Sequence, residues 1–285
     1  MTQLRTSDYK GISYQTVEIE HGAGVITLTL NNGAVNVLSG QMMKELTKLL
    51  KDLSTDQGIK VIIFESSNPD FFIAHVDINI LDEQSILDEL SQAAPENLNL
   101  FQAVGEMLRH QPQVTIVKLK GIARGGGAEF VAAADMCFAS IENGKLAQCE
   151  ALMGIIPGGG ATQYLSSKMT RGRVLEIILG ADLIDAKTAE LYGWVNRALP
   201  DVELNIFVER LAQNIANLPA GVIEVTKRVL SPEINIQGFK SENDGWAELA
   251  FNPRTAKIMQ GAMKNGAQTV AGELKLEDLL RTLDQ

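Results

Sequence analysis

The stretch Ile122-Ala123-Arg124-Gly125-Gly126-Gly127-Ala128-Glu129-Phe130 decides how this chain is read. It follows an apolar run, Val114 to Leu119, that reads as a buried strand. It leads into Phe130-Val131-Ala132-Ala133-Ala134, which reads as a helix. Three glycines let backbone approach a ligand closely. A helix start offers unpaired N–H groups and the positive end of a dipole. Glu129 then stands among Ala128, Phe130 and Val131, and burial of that kind raises a carboxyl pKa into the range useful for acid–base work. A carboxylate that only complements the helix dipole is the alternative.

Three further segments carry candidate chemistry. Glu150 stands in Leu146-Ala147-Gln148-Cys149-Glu150-Ala151-Leu152-Met153-Gly154, largely apolar and without an adjacent Lys or Arg. It is either a second working carboxyl or a partly exposed loop residue. Phe71-Phe72-Ile73-Ala74-His75-Val76-Asp77-Ile78 follows a strand and a turn, so its amides can supply a second oxyanion donor. His75 there reads first as a packed or capping residue. Ile155-Ile156-Pro157-Gly158-Gly159-Gly160-Ala161-Thr162-Gln163 is glycine-rich but has no Gly-Lys-Ser/Thr ending, which excludes a P-loop. Its spacing is not that of a dinucleotide fingerprint either, so it reads as a tight turn beside the pocket.

The frame around these segments is strand–helix–strand. Tyr14 to Glu20 and Val25 to Leu30 read as a hairpin about His21-Gly22-Ala23-Gly24. Ser39 can cap a helix through Leu53, with Met42, Leu46, Leu49, Leu50 and Leu53 on one stripe. Val61 to Phe64 and Met136 to Ser140 read as strands, and Ala94 to Arg109 as a helix. Asp77 to Ala94 is acidic and weakly periodic, so a mobile loop or short helices are expected. Arg171 to Leu179 reads as a helix ended by Gly180, and Asp185 caps another ended by Gly193. Beyond Pro200 the strands stop. Leu204 to Leu218, Gly221 to Leu230 and much of Ala247 to Leu283 read as helices. The expectation is an α/β core over residues 1–200 followed by a helical region over 201–285.

Composition narrows the function classes. At 285 residues and 45% apolar content the chain can bury a large core. A net charge of −10 with no block of Lys or Arg argues against nucleic acid as a partner. Cys137 and Cys149 have no metal-type spacing, and three scattered His give no structural zinc pattern; free thiols in a reducing compartment and no bound metal are expected. No apolar run approaches a membrane span, and Met1 to Gly11 carries no signal core, so a cytoplasmic location is expected.

Taken in order, Asn36-Val37-Leu38, Phe72 to Ile78, Gly121 to Asp135, Gln148 to Gln163 and Ala189 to Pro200 resemble the enoyl-CoA hydratase/isomerase (crotonase) superfamily. Gly121 to Gln163 is the specific part. The resemblance implies a spiral core of ββα turns with a C-terminal helical region that builds homotrimers or hexamers. It implies an acyl-CoA thioester substrate, with coenzyme A belonging to the substrate and no separate cofactor. Two amides, those of Val76 and Gly126, would polarise the thioester oxygen. Glu129 and Glu150 match the two glutamates that activate water and move protons in the family's hydratases. Glu129 would help activate the water that attacks the β-carbon, and Glu150 would protonate the α-carbon. Ala34, Val35, Val37 and Ala74 match substrate-contacting positions, as do His75, Asp77, Ile78, Gly125 and Pro157. The chain departs from the family where His75 replaces a glycine, where a proline before Val35 is missing, and where Ala161 replaces a glycine.

Hydration of a trans-2-enoyl-CoA is the leading expectation. An enoyl-CoA isomerase, or an acyl-CoA lyase or hydrolase using the same site, is the alternative within the family. A non-catalytic CoA-binding assembly protein, with His75 obstructing the pocket, is the alternative of another class.

Overall fold

The structure is a computed structural model that describes residues 6–230 and 235–283. Strands β1 (Asp8–Tyr9) and β2 (Ile12–Ser13) make a short antiparallel ladder. Strands β3 (Val17–Gly22) and β4 (Val25–Leu30) form the expected hairpin, with Ala23 and Gly24 both at positive φ in its turn. The chain then repeats one move three times. β5 (Val61–Ser66) is followed by β6 (Phe71–Ile73), β7 (Val114–Leu119) by β8 (Ile122–Arg124), and β9 (Met136–Ser140) by β10 (Lys145–Ala147).

In each pair the first strand joins a large sheet and the second a small one. The large sheet has the order β12-β9-β7-β5-β4-β3, where β12 is Arg197–Leu199, and only its β3–β4 pair is antiparallel. The small sheet has the order β11-β10-β8-β6, where β11 is Ile184–Asp185. Its β6–β8 and β8–β10 pairs are parallel. Helices between the pairs close the spiral. This is the ββα core that the resemblance implies.

Packing follows the apolar stripes. Ser39 caps helix Gly40–Ser54, its side chain accepting from the Met42 amide at 3.2 Å, and the helix buries Met42, Leu46, Leu49, Leu50 and Leu53 in the main core. Helix Asp201–Ala216, the first beyond Pro200, returns to the large sheet. Its Leu204, Val208 and Ala212 bury against Val61, Ile63, Val114, Ile116 and Phe138. Among the described residues no helix is long and apolar enough to cross a membrane.

Several expected boundaries move, each for a local reason. The first hairpin strand starts at Val17 rather than Tyr14. The helix expected from Ala94 begins at Leu100, because Asn99 and Gln102 cap each other reciprocally and Pro95 stays outside. Gly180 remains helical, and Ala181 takes the left-handed position at φ 50°. The acidic segment after Asp77 folds into a 3-10 turn, Ile80–Glu83, and helix Gln84–Ala93. Helix Asp185 to Gly193 ends as expected, on a left-handed glycine. The strands of the small sheet, two or three residues long, leave no measurable period in the sequence.

Candidate active site

The register of the small sheet assembles the site. Ile73 on β6 pairs with Ala123 on β8, and three residues beyond each stand Val76 and Gly126. Arg124 on β8 pairs with Ala147 on β10, and three residues beyond Ala147 stands Glu150. All three segments leave the carboxyl ends of parallel strands, where α/β folds collect their ligand groups.

Val76 and Gly126 lie side by side: a Cβ on Gly126 would sit 2.5 Å from Cγ2 of Val76. The His75–Val76 peptide is held by the Leu38 amide, which donates to the His75 carbonyl at 2.9 Å, and the Asp77 amide returns a bond of 3.0 Å to Leu38. Gly126 opens helix Gly126–Ala133, where first-turn amides have no intrahelical acceptor. Among the described residues neither the Val76 nor the Gly126 amide donates to a protein acceptor. Gly125 turns the chain into that helix at φ 48°, a value that favours glycine.

Glu129 and Glu150 are both buried. The Glu129 Oε1 accepts from the Gly159 amide at 2.8 Å and the Ala161 amide at 3.1 Å. Glu150 reaches the space beside Gly125, its Oε1 3.0 Å from where a Cβ of that residue would lie. With its amide nitrogen turned to the carboxylate, Gln148 donates to both Glu150 oxygens at 3.1 Å. Burial, then the charges of Glu150 and Glu242, drive the Glu129 carboxyl well above its usual range. Burial likewise pushes Glu150 up to about 7, with Glu242 adding to the rise and His75 opposing it. The two carboxyls feel each other's charge, so their protons leave as properties of the pair. A cavity of about 20 Å³ lies against Glu129, Gly126, Leu38, Phe101 and Val104, the scale of one water molecule.

The second glycine-rich segment has a role that its sequence did not reveal. It is an anion cradle for the chain's own carboxylates, with amides donating alternately to two of them. Gly159 and Ala161 donate to Glu129; Gly160 and Thr162 donate to Glu242 at 2.7 and 3.0 Å. The Thr162 hydroxyl and the Gln102 side chain also donate to Glu242, the latter at 3.0 Å. Helix Ile236–Ala250, which carries Glu242, is therefore docked against the site.

The remaining sequence candidates divide. Ala34, Val35, Val37 and Asp77 line one polar cleft of about 580 Å³, together with Asn31, Asn32, Ser39 and Gln268. Ala74 is fully buried and packs with Val35, Phe71 and Ile122. Ile78 packs on the C-terminal helices around Ile258 and Leu276. Pro157 is buried ahead of the amides that hold Glu129. His75 does not project into the cleft; its imidazole is buried, with Nε2 3.0 Å from Glu273 Oε1 and Nδ1 2.6 Å from the Val76 carbonyl.

Sequence reading missed Glu242, Glu273 and Glu277. All three lie on helices remote in sequence, and nothing local distinguishes them from solvated acids. Arg124 carried a usable signal, a guanidinium in an otherwise buried run, which demands a partner. Its partners are Glu277, with Nε to Oε1 at 2.6 Å, and Glu273.

Residues 20–243 match the enoyl-CoA hydratase/isomerase family. The chain is 28% identical over 221 residues to a probable enoyl-CoA hydratase of Mycobacterium bovis, covering 77% of this chain and 82% of that one. It is 31% identical over 219 residues to the mitochondrial methylglutaconyl-CoA hydratase of Homo sapiens, covering 76% and 62%. A crystal structure from Streptomyces avermitilis, described only provisionally as an enoyl-CoA hydratase, superposes with a TM-score of 0.94 at 52% identity over 95% of this chain and 99% of that one. With the ββα spiral and the matched motifs in place, the chain belongs to the enoyl-CoA hydratase/isomerase (crotonase) family of enzymes.

Proposed function

We propose that the protein is a hydro-lyase that adds water across the double bond of a trans-2-enoyl-CoA. The observation that carries this reading is the buried Glu129–Glu150 pair beside the free amides of Val76 and Gly126. The two amides receive the thioester oxygen and stabilise the negative charge that moves onto it when the β-carbon is attacked. One carboxylate takes a proton from water as its oxygen bonds to the β-carbon; the other carboxyl gives a proton to the α-carbon. Water thereby adds as H and OH, and the reaction is redox-neutral. It calls for no cofactor beyond the coenzyme A that the substrate carries. Glu129 is the proposed water-activating residue and Glu150 the proposed proton donor.

The polar cleft at Ala34, Val35, Val37 and Asp77 is the proposed seat of the CoA moiety. The hydratase names of the relatives support the reaction class. A homotrimer, or a stacked pair of trimers, is the proposed assembly; Val202, Ile206, Val229 and Phe251 leave apolar surface on the C-terminal helices that suits burial between copies.

The test is loss of conjugated thioester absorbance with a series of enoyl-CoAs of increasing length. Turnover should appear within the series, and Glu129→Gln and Glu150→Gln should each lower kcat by about two to four orders of magnitude. No turnover at any length would reject the reading.

A further inference from the structure

Both arms of the amide pair are tied to one residue outside the spiral core, His75 to its carboxylate and Arg124 chiefly to its backbone carbonyl. His75 immediately precedes Val76, and its Nε2 lies 3.0 Å from Oε1 of Glu273. Arg124 stands two residues before Gly126. Its NH2 donates to the Glu273 carbonyl at 2.9 Å, and its NH1 lies 3.5 Å from Glu273 Oε2. Neighbouring contacts fix Glu273 itself. The Gln268 amide donates to its Oε1 at 2.8 Å, while the Gln268 side chain accepts from the Ile78 amide at 3.1 Å and donates to Asp77 at 2.9 Å. Glu277, four residues on in the next helix, takes the Nε and NH2 of Arg124 at 2.6 and 3.1 Å. Arg124 and Glu273 are completely buried, so nothing in solvent competes for these bonds.

The chemistry of the partners sets the charge of His75. Its Nδ1 faces a backbone carbonyl and its Nε2 a carboxylate, and both partners accept only. Both ring nitrogens face acceptors, an arrangement that the protonated ring satisfies. Burial opposes that charge, but the bond and the charge of Glu273 outweigh it and hold the His75 pKa above its ordinary value. His75 and Arg124 thus meet two acids, Glu273 and Glu277, in a buried compartment behind the site.

We infer that Glu273 is a positioning residue for the oxyanion hole, setting the spacing of the Val76 and Gly126 amides through His75 on one arm and Arg124 on the other. The inference rests on the hydratase reading, in which those amides hold the thioester oxygen. Donors of this kind act by being fixed where charge develops, so loosening the clamp acts mainly on the transition state. The consequence is a fall in kcat with little change in KM.

The experiment uses the full-length protein with butyryl-CoA carrying ¹³C at the thioester carbonyl, a saturated ligand that cannot be hydrated, and isotope-edited infrared spectroscopy. Wild-type protein should move the bound carbonyl band to lower frequency than in solution. Glu273→Gln and His75→Gln should each lose most of that displacement. With a turned-over enoyl-CoA each should lose about tenfold to a hundredfold in kcat, with KM changed by less than about threefold. The double variant should be little worse than the poorer single one, because one clamp is broken in each. Folded variants that keep the full band displacement and wild-type kcat would overturn the inference. If Glu273→Gln does not fold, His75→Gln cuts the same link from the other end and decides the question. A wild-type protein that turns over enoyl-CoA yet leaves the band at its solution position overturns the clamp alone; one that neither turns over enoyl-CoA nor displaces the band overturns the hydratase reading and the clamp together.

Discussion

The Gly159 amide donates to the Glu129 carboxylate at 2.8 Å, and a side chain on Gly159 would drive straight into that carboxylate. The two glycine-rich segments are thereby one device: the first carries the acid, and the second supplies the amides that aim it. Gly159→Ala should fold, since the collision is with one movable side chain, but it should displace the Glu129 carboxyl. The expected result is a drop in kcat of about a hundredfold with a smaller change in urea midpoint, measured on the same preparation.

Glu150 predicts a conflict between activity and stability. A carboxyl raised from 4.5 to about 7 in the folded protein binds its proton more tightly there than in the unfolded chain. Its stabilising contribution is complete below pH 4.5 and is lost as pH rises through 7. Glu150→Gln removes that loss. The variant should be nearly inactive, yet its Tm should gain on wild type between pH 5 and pH 8, by about 2–4 °C for each kcal/mol recovered. Calorimetry across that range checks it; a gap that stays constant with pH would count against the buried, proton-holding Glu150.

Glu242 lends negative charge to Glu129 from across the anion cradle, one of the causes that raise the Glu129 pKa. Glu242→Gln removes the charge while keeping an oxygen for the Gly160 amide. The Glu129 pKa should then fall, so whichever limb of the kcat/KM profile reports that carboxyl should move to lower pH. A profile unmoved by the substitution would separate Glu242 from the chemistry.

The legible part of this fold lay where residues act on near neighbours. Ser39 and Asp185 cap their helices as their spacing predicts, and Val114 to Leu119 is a strand whose Val114, Ile116, Val117 and Leu119 are buried. Glu129 and Glu150 were legible as suspicious acids, each flanked by apolar residues. Their meeting was not legible, because it depends on the register Arg124↔Ala147 between strands too short to show a period. The helix from Ile236 was missed because Gly238, Asn243 and Gly245 dilute its helical propensity. Its Glu242 finds partners 80 or more residues away, and pairing at that distance is decided by topology alone. His75 is packed against Glu273, which lies 198 positions further on.

Arg124 tests the cost of that long-range network directly. It is completely buried and satisfied by two acids and a carbonyl. Arg124→Met removes the cation and leaves Glu277 buried without its guanidinium, while Glu273 keeps His75 and the Gln268 amide. Removing one partner of a buried ion pair costs about 3–5 kcal/mol, chiefly because the remaining charge is stranded. Arg124→Met should therefore lower the free energy of unfolding by about that amount in urea denaturation. Arg124→Lys should recover only part of it, because an ammonium cannot make the two-pronged contact with Glu277. Arg124→Met combined with Glu277→Gln should be more stable than Arg124→Met alone, since the stranded charge is gone. If the double variant is instead the less stable of the two, the loss comes from packing of the Arg124 stem and not from the buried charges.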